Sequence, residues 1–231
     1  MDLELLMKYG PRMLHGLWVT LQLVGISLLI GGVLSLPIAM ARLSKNKFFN
    51  GVSYAYVYFF RGSPLIAQLF LVYYGAGQLR YELQDINMWW FFRDAWNCTI
   101  LVFALNTAAY QAEILRGGIM GVPKGQLEAA MAMGLKPLVT FFKVTLPQAM
   151  ISSLRPYGNE VILMIKGSAI ASVVTIFDLM GETKLAFSRT FDFEIYFIAA
   201  LMYLAVVELI RFFWERMDTR LTRHLRPANE Q

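Results

Sequence analysis

Long apolar runs alternate with short polar clusters along the chain, and the alternation repeats five times, over approximately 17–41, 52–75, 98–115, 157–176 and 195–213. Each run is near the roughly twenty residues a helix needs to cross about 30 Å of hydrocarbon. Inside lipid a backbone amide finds no water, so its partner must lie within the segment and the runs are expected as helices. The pattern therefore predicts an all-α, polytopic membrane protein with five transmembrane helices in a single domain over 1–231. The first run follows Asp2 and Glu4 instead of a basic start and exceeds a signal-peptide core. It is expected to be retained, although Ala39 and Ala41 mimic a cleavage pair.

The polar stretch between the third and fourth runs, about 116–156, is the longest in the chain and carries its own helical pattern. Pro123 near a first turn, the good helix formers Gln126 to Met133 and a stop at Gly134 predict one short helix. A second is expected from Pro137 to Pro147, with Leu138, Phe141, Phe142 and Thr145 on one face of a basic segment. Two uses suit such a pair, lying on the bilayer surface or docking onto a soluble partner.

Composition narrows the class. Of the 231 residues 57% are hydrophobic and 16% charged, and mean hydropathy is +0.50, a membrane profile. The net charge of +5 does not point to nucleic acid, because the basic residues flank apolar runs, where lipid headgroups and topology place them. Thirteen Lys and Arg residues fall on the side holding the first turn, the long loop and the tail, against six on the other. By the positive-inside rule the loop and carboxyl terminus are expected in the cytoplasm and the amino terminus outside. The single Cys98 excludes an internal disulfide and a cysteine metal site. His15 and His224 lie outside the runs and too far apart in topology for a catalytic or metal pair. No phosphate-binding Gly-x-x-x-x-Gly-Lys-Ser/Thr run occurs, so any ATP is expected to be hydrolysed by another chain.

Glu128-Ala129-Ala130, Gly134, Val144 and Leu146-Pro147 stand at the spacing of the EAA loop of permease subunits of ATP-binding-cassette importers, and the chain resembles that family over essentially its whole length. Arg61-Gly62-Ser63-Pro64, Asn106-Thr107-Ala108-Ala109-Tyr110 with Glu113, Arg116, Gly117 and Gly118, and Asn159-Glu160-Val161-Ile162-Leu163-Met164 are similar to its polar amino acid branch, which carries histidine, arginine, lysine and the opines. The resemblance implies the type I ABC importer permease fold in a bacterial inner membrane, with a periplasmic amino terminus. It implies no cofactor in this chain, since ATP and Mg belong to the ATPase subunits, in whose groove the loop would seat. It further implies a second homologous permease chain, a heterodimer being favoured, two ATP-binding subunits and a periplasmic solute-binding protein. In this reading Glu128 caps or pairs within the loop, and Gly134 permits a tight turn.

Ionisable groups within the runs are the candidates for a solute path, because an unpaired charge in hydrocarbon costs at least a few kcal/mol. Asn106, Tyr110, Glu113 and Gly117 share a helical face, which suits either contacts between helices or a line of solute contacts. Asn159 and Lys166 share another face, with Glu160 about 100° away. Glu160, Lys166, Ser168, Asn106 and Tyr110 together offer a carboxylate and donors for an amino acid, although Glu160 is also placed to hold a gate near the cytoplasmic surface. Many relatives carry Lys, a variable residue and Thr-Ser-Leu where this chain has Lys166-Gly167-Ser168-Ala169-Ile170. Arg61, Gly62 and Pro64 mark a kink in the second run, read as a bend or a gate. The expected function is ATP-driven import of amino acids, cationic ones or opines. The alternatives are an ion-gradient transporter, which predicts paired broken helices that the hydropathy does not show, and an assembly subunit without a solute path.

Overall fold

The computed structural model describes residues 3–223, with side chains from Met7 onward. Asp2, His224 and the tail around Arg226 lie outside the described residues. Among those described, every regular element is a helix. In chain order they are α1 (Leu3–Leu43), α2 (Lys47–Gly62), α3 (Leu65–Gln78), α4 (Arg80–Asp85), α5 (Trp89–Phe92) and α6 (Ala95–Met120). The polar loop forms α7 (Lys124–Ala132), α8 (Pro137–Thr140), a π turn (Phe141–Thr145) and α9 (Leu146–Ser152). The chain continues through α10 (Leu154–Ser168), a 3-10 turn (Ala169–Val174), α11 (Leu179–Thr190) and α12 (Glu194–Leu221).

Three of these helices, α1, α6 and α12, are long and apolar enough to cross a membrane alone. The second and fourth crossings are bent pairs, α2 with α3 at 102° and α10 through the 3-10 turn with α11 at 52°. The five apolar runs are thus present with each bent pair counted as one crossing; the second run contains its break, whereas the fourth, expected to end at residue 176, meets its break there and α11 lies beyond it. Proline explains the first. In an unbroken helix the Phe60 carbonyl would accept the N–H of residue 64, and Pro64 has none. Helix α1 also begins well before residue 17, because Tyr9 and Met13 are buried in a cluster with Leu179, Ala186, Ile195 and Ala199.

Helix α6 is the axis of the bundle, buried for two-thirds of its apolar window against one-tenth for α12. Small residues make that possible. Ala104, Ala108, Ala109 and Ala112 are all buried, and a Cβ on Gly31 of α1 would stand 2.5 Å from Thr107 Cγ2 and 3.1 Å from the Ala108 nitrogen. The two backbones therefore approach as small-residue interfaces in membranes do. Above them Leu23, Leu69, Val102, Phe103 and Ile165 form the main core. Helix α12 leaves Phe197, Leu201, Leu204 and Phe213 uncovered, a surface suited to lipid.

Candidate functional site

Two groups of residues singled out by the sequence occupy different parts of the bundle: the loop at one end, and the polar side chains around the break in the second crossing.

Helix α7 ends as the sequence predicts. Gly134 has φ +73, its N–H donates to the Met131 carbonyl at 2.9 Å, and Leu135 N–H donates to the Ala130 carbonyl at 3.1 Å. This pair of bonds is a Schellman cap, whose left-handed residue favours glycine. Within the EAA stretch Ala130 is 1% exposed and anchors α7, whereas Glu128 and Ala129 face outward. Glu128 has no hydrogen bond or ion pair, so the expectation that it caps or pairs within the loop is corrected. Met131, Met133, Leu138 and Phe142 are exposed beside it, while Thr145 is buried and Phe141 half-buried. The expected apolar face is therefore split between an outward part and an anchoring part.

The second loop helix starts at Pro137 as predicted but does not stop at Pro147. The π turn ends with Leu146 N–H donating to the Phe141 carbonyl. This wider turn moves the Lys143 carbonyl away from the Pro147 ring, which would collide with it in a regular α-helix. From Pro137 to Ser168 the backbone then stays helical except at Ser153, whose N–H still bonds the Ala149 carbonyl and whose own carbonyl accepts from Tyr157. Val144 is half-buried, and Leu146 packs beside Ala39, Leu115 and Ala149. Two further ties fix the run: Gln148 Nε2 donates to Gln126 Oε1 at 3.1 Å, and Ser153 Oγ donates to the Ile114 carbonyl at 3.2 Å.

Around the break, α6 supplies the missing bonds. Asn106 Nδ2 donates to the Phe60 carbonyl at 2.8 Å and to Gln68 Oε1 at 3.1 Å. Gln68 Nε2 in turn donates to the Phe60 carbonyl at 3.0 Å and to Ser63 Oγ at 2.8 Å. Tyr110 carries the Arg61 guanidinium 5.1 Å from its ring centre. Glu113 lies nearer the loop, held by Arg42 Nε at 3.0 Å and by Arg116 at 2.8 Å. Asn106, Tyr110 and Glu113 thus all touch neighbouring helices, while Tyr110 and Glu113 also line a cavity of about 300 Å³ with Arg42, Tyr54, Tyr58 and Arg61, and nothing approaches Gly117.

The residue after Asn106 on α6, Thr107, donates from Oγ1 to Glu160 Oε1 at 2.8 Å. Thr107 lies midway along α6, which is about 39 Å long, so Glu160 sits at the depth of the break and not near the loop surface. It is 5% exposed. Ser168 is buried, with its hydroxyl donated to the Ile165 carbonyl at 2.7 Å. Lys166 is exposed and makes no hydrogen bond or ion pair, and its neighbour Gly167 faces Leu65, the residue that follows Pro64. Gln68 and Thr107 were not singled out from the sequence as site residues. Gln68 did leave a signal, an amide four residues after a proline in an otherwise apolar run.

The model of the family described as "Binding-protein-dependent transport system inner membrane component" matches residues 31–223. The chain belongs to this family. The permease is 43% identical over 211 residues to the nopaline transport system permease protein NocM of Agrobacterium fabrum, covering 91% of this chain and 88% of that one. It is 36% identical over 215 residues to the histidine/lysine/arginine/ornithine transport system permease protein HisM of Escherichia coli, covering 93% and 90%. Among solved structures it superposes on an amino acid ABC transporter crystallised with histidines, with TM-score 0.83, 33% identity, and 95% and 99% of the two chains covered. The methionine transporter MetNI shares the fold, with TM-score 0.77 at 20% identity, covering 96% and 100%. The chain is thus a membrane permease subunit and not an enzyme.

Proposed function

We propose that this permease is the membrane subunit of an ATP-driven importer of amino acids, basic ones or opines, and that its loop receives the stroke of a separate ATPase. One observation carries the reading: Leu138 and Phe142, exposed at the start of the helical run that leads toward the fourth crossing, lie beside exposed Glu128, Met131 and Met133 of the short helix before the Gly134 turn. A soluble protein gripping that surface moves the crossing as a rigid body, the kind of switch transporters use. Methionine and phenylalanine beside a lone carboxylate suit a protein groove, which desolvates apolar anchors and pairs the charge.

The relatives support the remaining assignments. The loop and carboxyl terminus lie in the cytoplasm and the amino terminus in the periplasm, in keeping with the basic residues. A second permease chain, in a heterodimer, completes the solute path, because five crossings do not readily enclose one. Two ATPase chains bind ATP and Mg, and a periplasmic binding protein delivers the solute. Arg61, Glu160 and Lys166 mark the path at mid-depth.

The test is uptake by proteoliposomes holding the assembled complex, with ATP sealed on the loop side and the binding protein outside. Uptake is expected to need hydrolysable ATP and to survive collapse of proton and sodium gradients. Gly134→Asp is expected to insert and assemble at the normal level yet lose most uptake, since a side chain at φ +73 costs about 1 kcal/mol and disturbs the turn joining the loop helices. Gradient-dependent uptake without ATP, or wild-type uptake by Gly134→Asp, would overturn the reading.

A further inference from the structure

The loop-side half of the bundle is open on one flank. Helices α1 and α12 meet in the outer half, where Tyr9 and Met13 pack with Ile195 and Ala199. Nearer the loop a groove of about 670 Å³ opens between them, walled by Leu29 and Val33 of α1, Met150 of α9, and Trp214 and Met217 of α12. On α6 it reaches Gln111 and Leu115, both on the loop side of Thr107. Along α1 it runs from Leu28 to Leu36, about 12 Å. That is most of the depth of about 15 Å that one leaflet of hydrocarbon provides.

The polar lining residues spend their groups on the protein. Ser35 Oγ donates to the Gly32 carbonyl at 2.7 Å, and Gln111 Nε2 to the Leu28 carbonyl at 3.2 Å and to Thr107 Oγ1 at 3.1 Å. Tyr157 donates to the Gln111 carbonyl, Trp214 to the Leu154 carbonyl, and Glu160 accepts from Thr107. The wall left to the groove is almost wholly apolar. Water does not fill an apolar cavity of this kind, and an empty one forfeits the contacts of its whole lining. The molecule present at this depth that fits is an acyl chain.

The mouth of the groove selects the lipid. Arg220 lies one turn beyond Met217, and Lys143 lies in the π turn just before Leu146; both are exposed, with no hydrogen bond or ion pair. The carboxylates of the adjoining helices are already taken, Glu113 by Arg42 and Arg116, Asp218 by Arg155, and Glu208 and Glu215 by Arg211. Two free cations therefore favour a negative headgroup. They also oppose a second permease chain at this place, because its own loop end would be basic by the same topology rule.

We propose that the groove is a site for one acyl chain of an anionic phospholipid of the loop-side leaflet, with Arg220 and Lys143 holding the phosphate. The chain stands between α12 and the base of the loop run, so on this flank the run moves against lipid and not against a void. The assignment rests on the membrane fold and is independent of the solute and of the ATPase.

The test is tryptophan fluorescence of the assembled complex in detergent micelles containing phosphatidylglycerol or phosphatidylcholine with brominated chains, since bromine quenches an indole on contact. The signal of Trp214 is the difference between wild type and Trp214→Phe. Phosphatidylglycerol is expected to quench it at a mole fraction at least about fivefold lower than phosphatidylcholine, the selectivity of one basic side chain beside a headgroup. Arg220→Gln with Lys143→Gln is expected to bring the two lipids to parity while quenching persists. Val33→Phe with Met150→Phe, at exposed positions that narrow the groove, is expected to relieve quenching by both. Native mass spectrometry of the wild-type complex needs no variant and is expected to show phosphatidylglycerol retained in preference. Parity of the two lipids in the wild type would overturn the proposal. So would quenching that survives the paired phenylalanines, which would place the lipid outside the groove, or an unquenched Trp214, which would mean that protein covers it.

Discussion

Gly118 shows how much one missing side chain decides. A Cβ there would collide with Ser153 Oγ and stand 2.7 Å from the Ala149 carbonyl, so the close crossing of α6 and the loop run requires a hydrogen at that position. Gly118→Val is expected to cost about 1–3 kcal/mol through overpacking and to lift α9 from α6. Thermal unfolding in detergent reads the first effect. A cysteine pair spanning the contact reads the second, as a lost cross-link. Residue types were legible in the sequence where local geometry dictates them, as at Gly134, whose role as a helix stop follows from its place after a run of helix formers. Side-chain partners were not. Glu128 was expected to cap or pair within the loop and does neither once the loop is folded, and the partner of Glu160 is a threonine 53 positions away.

At the scale of elements, the break between α2 and α3 is held by a redundant clamp. Gln68 and Asn106 both donate to the Phe60 carbonyl, so loss of either leaves one donor in place. Gln68→Leu and Asn106→Leu are each expected to cost about 1 kcal/mol, the usual scale for side-chain bonds in membranes. Together they orphan the carbonyl, and the double variant is expected to lose more than the sum of the singles. A double-mutant cycle on unfolding midpoints measures the excess. An additive result would mean that water already satisfies the carbonyl. Hydropathy found this crossing as one run because averaging over some twenty residues ignores a single missing N–H. The proline marked where a bend would fall, but 102° is set by what α6 offers in return. The loop shows the converse, in that Pro147 reads as a stop and the fold passes it with one widened turn.

For the whole molecule, the end bearing the loop is tied by three charges from two helices. Glu113 bridges Arg42 at the end of α1 and Arg116 on the last turns of α6, with 14% of its side chain exposed. Glu113→Gln is expected to cost about 2 kcal/mol, between the values for exposed and buried pairs, and to make the remaining stability less sensitive to salt. Unfolding midpoints at low and high ionic strength check both expectations. The order and apolar character of the runs were legible from pattern alone, as was the position of the loop, whereas the bend between α10 and α11 was not. The central place of α6 was only hinted at, by its small and polar residues, because centrality depends on which helices gather around it.

The helical run from Pro137 to Ser168 has a consequence for how this chain can vary. Each residue added to or removed from it turns everything beyond by about 100°. Leu138 and Phe142 at one end and Lys166 at the other are therefore linked in phase through the π turn and the turn at Ser153. Side chains along the run can drift, but a change in its length would turn the gripping surface away from whatever drives it.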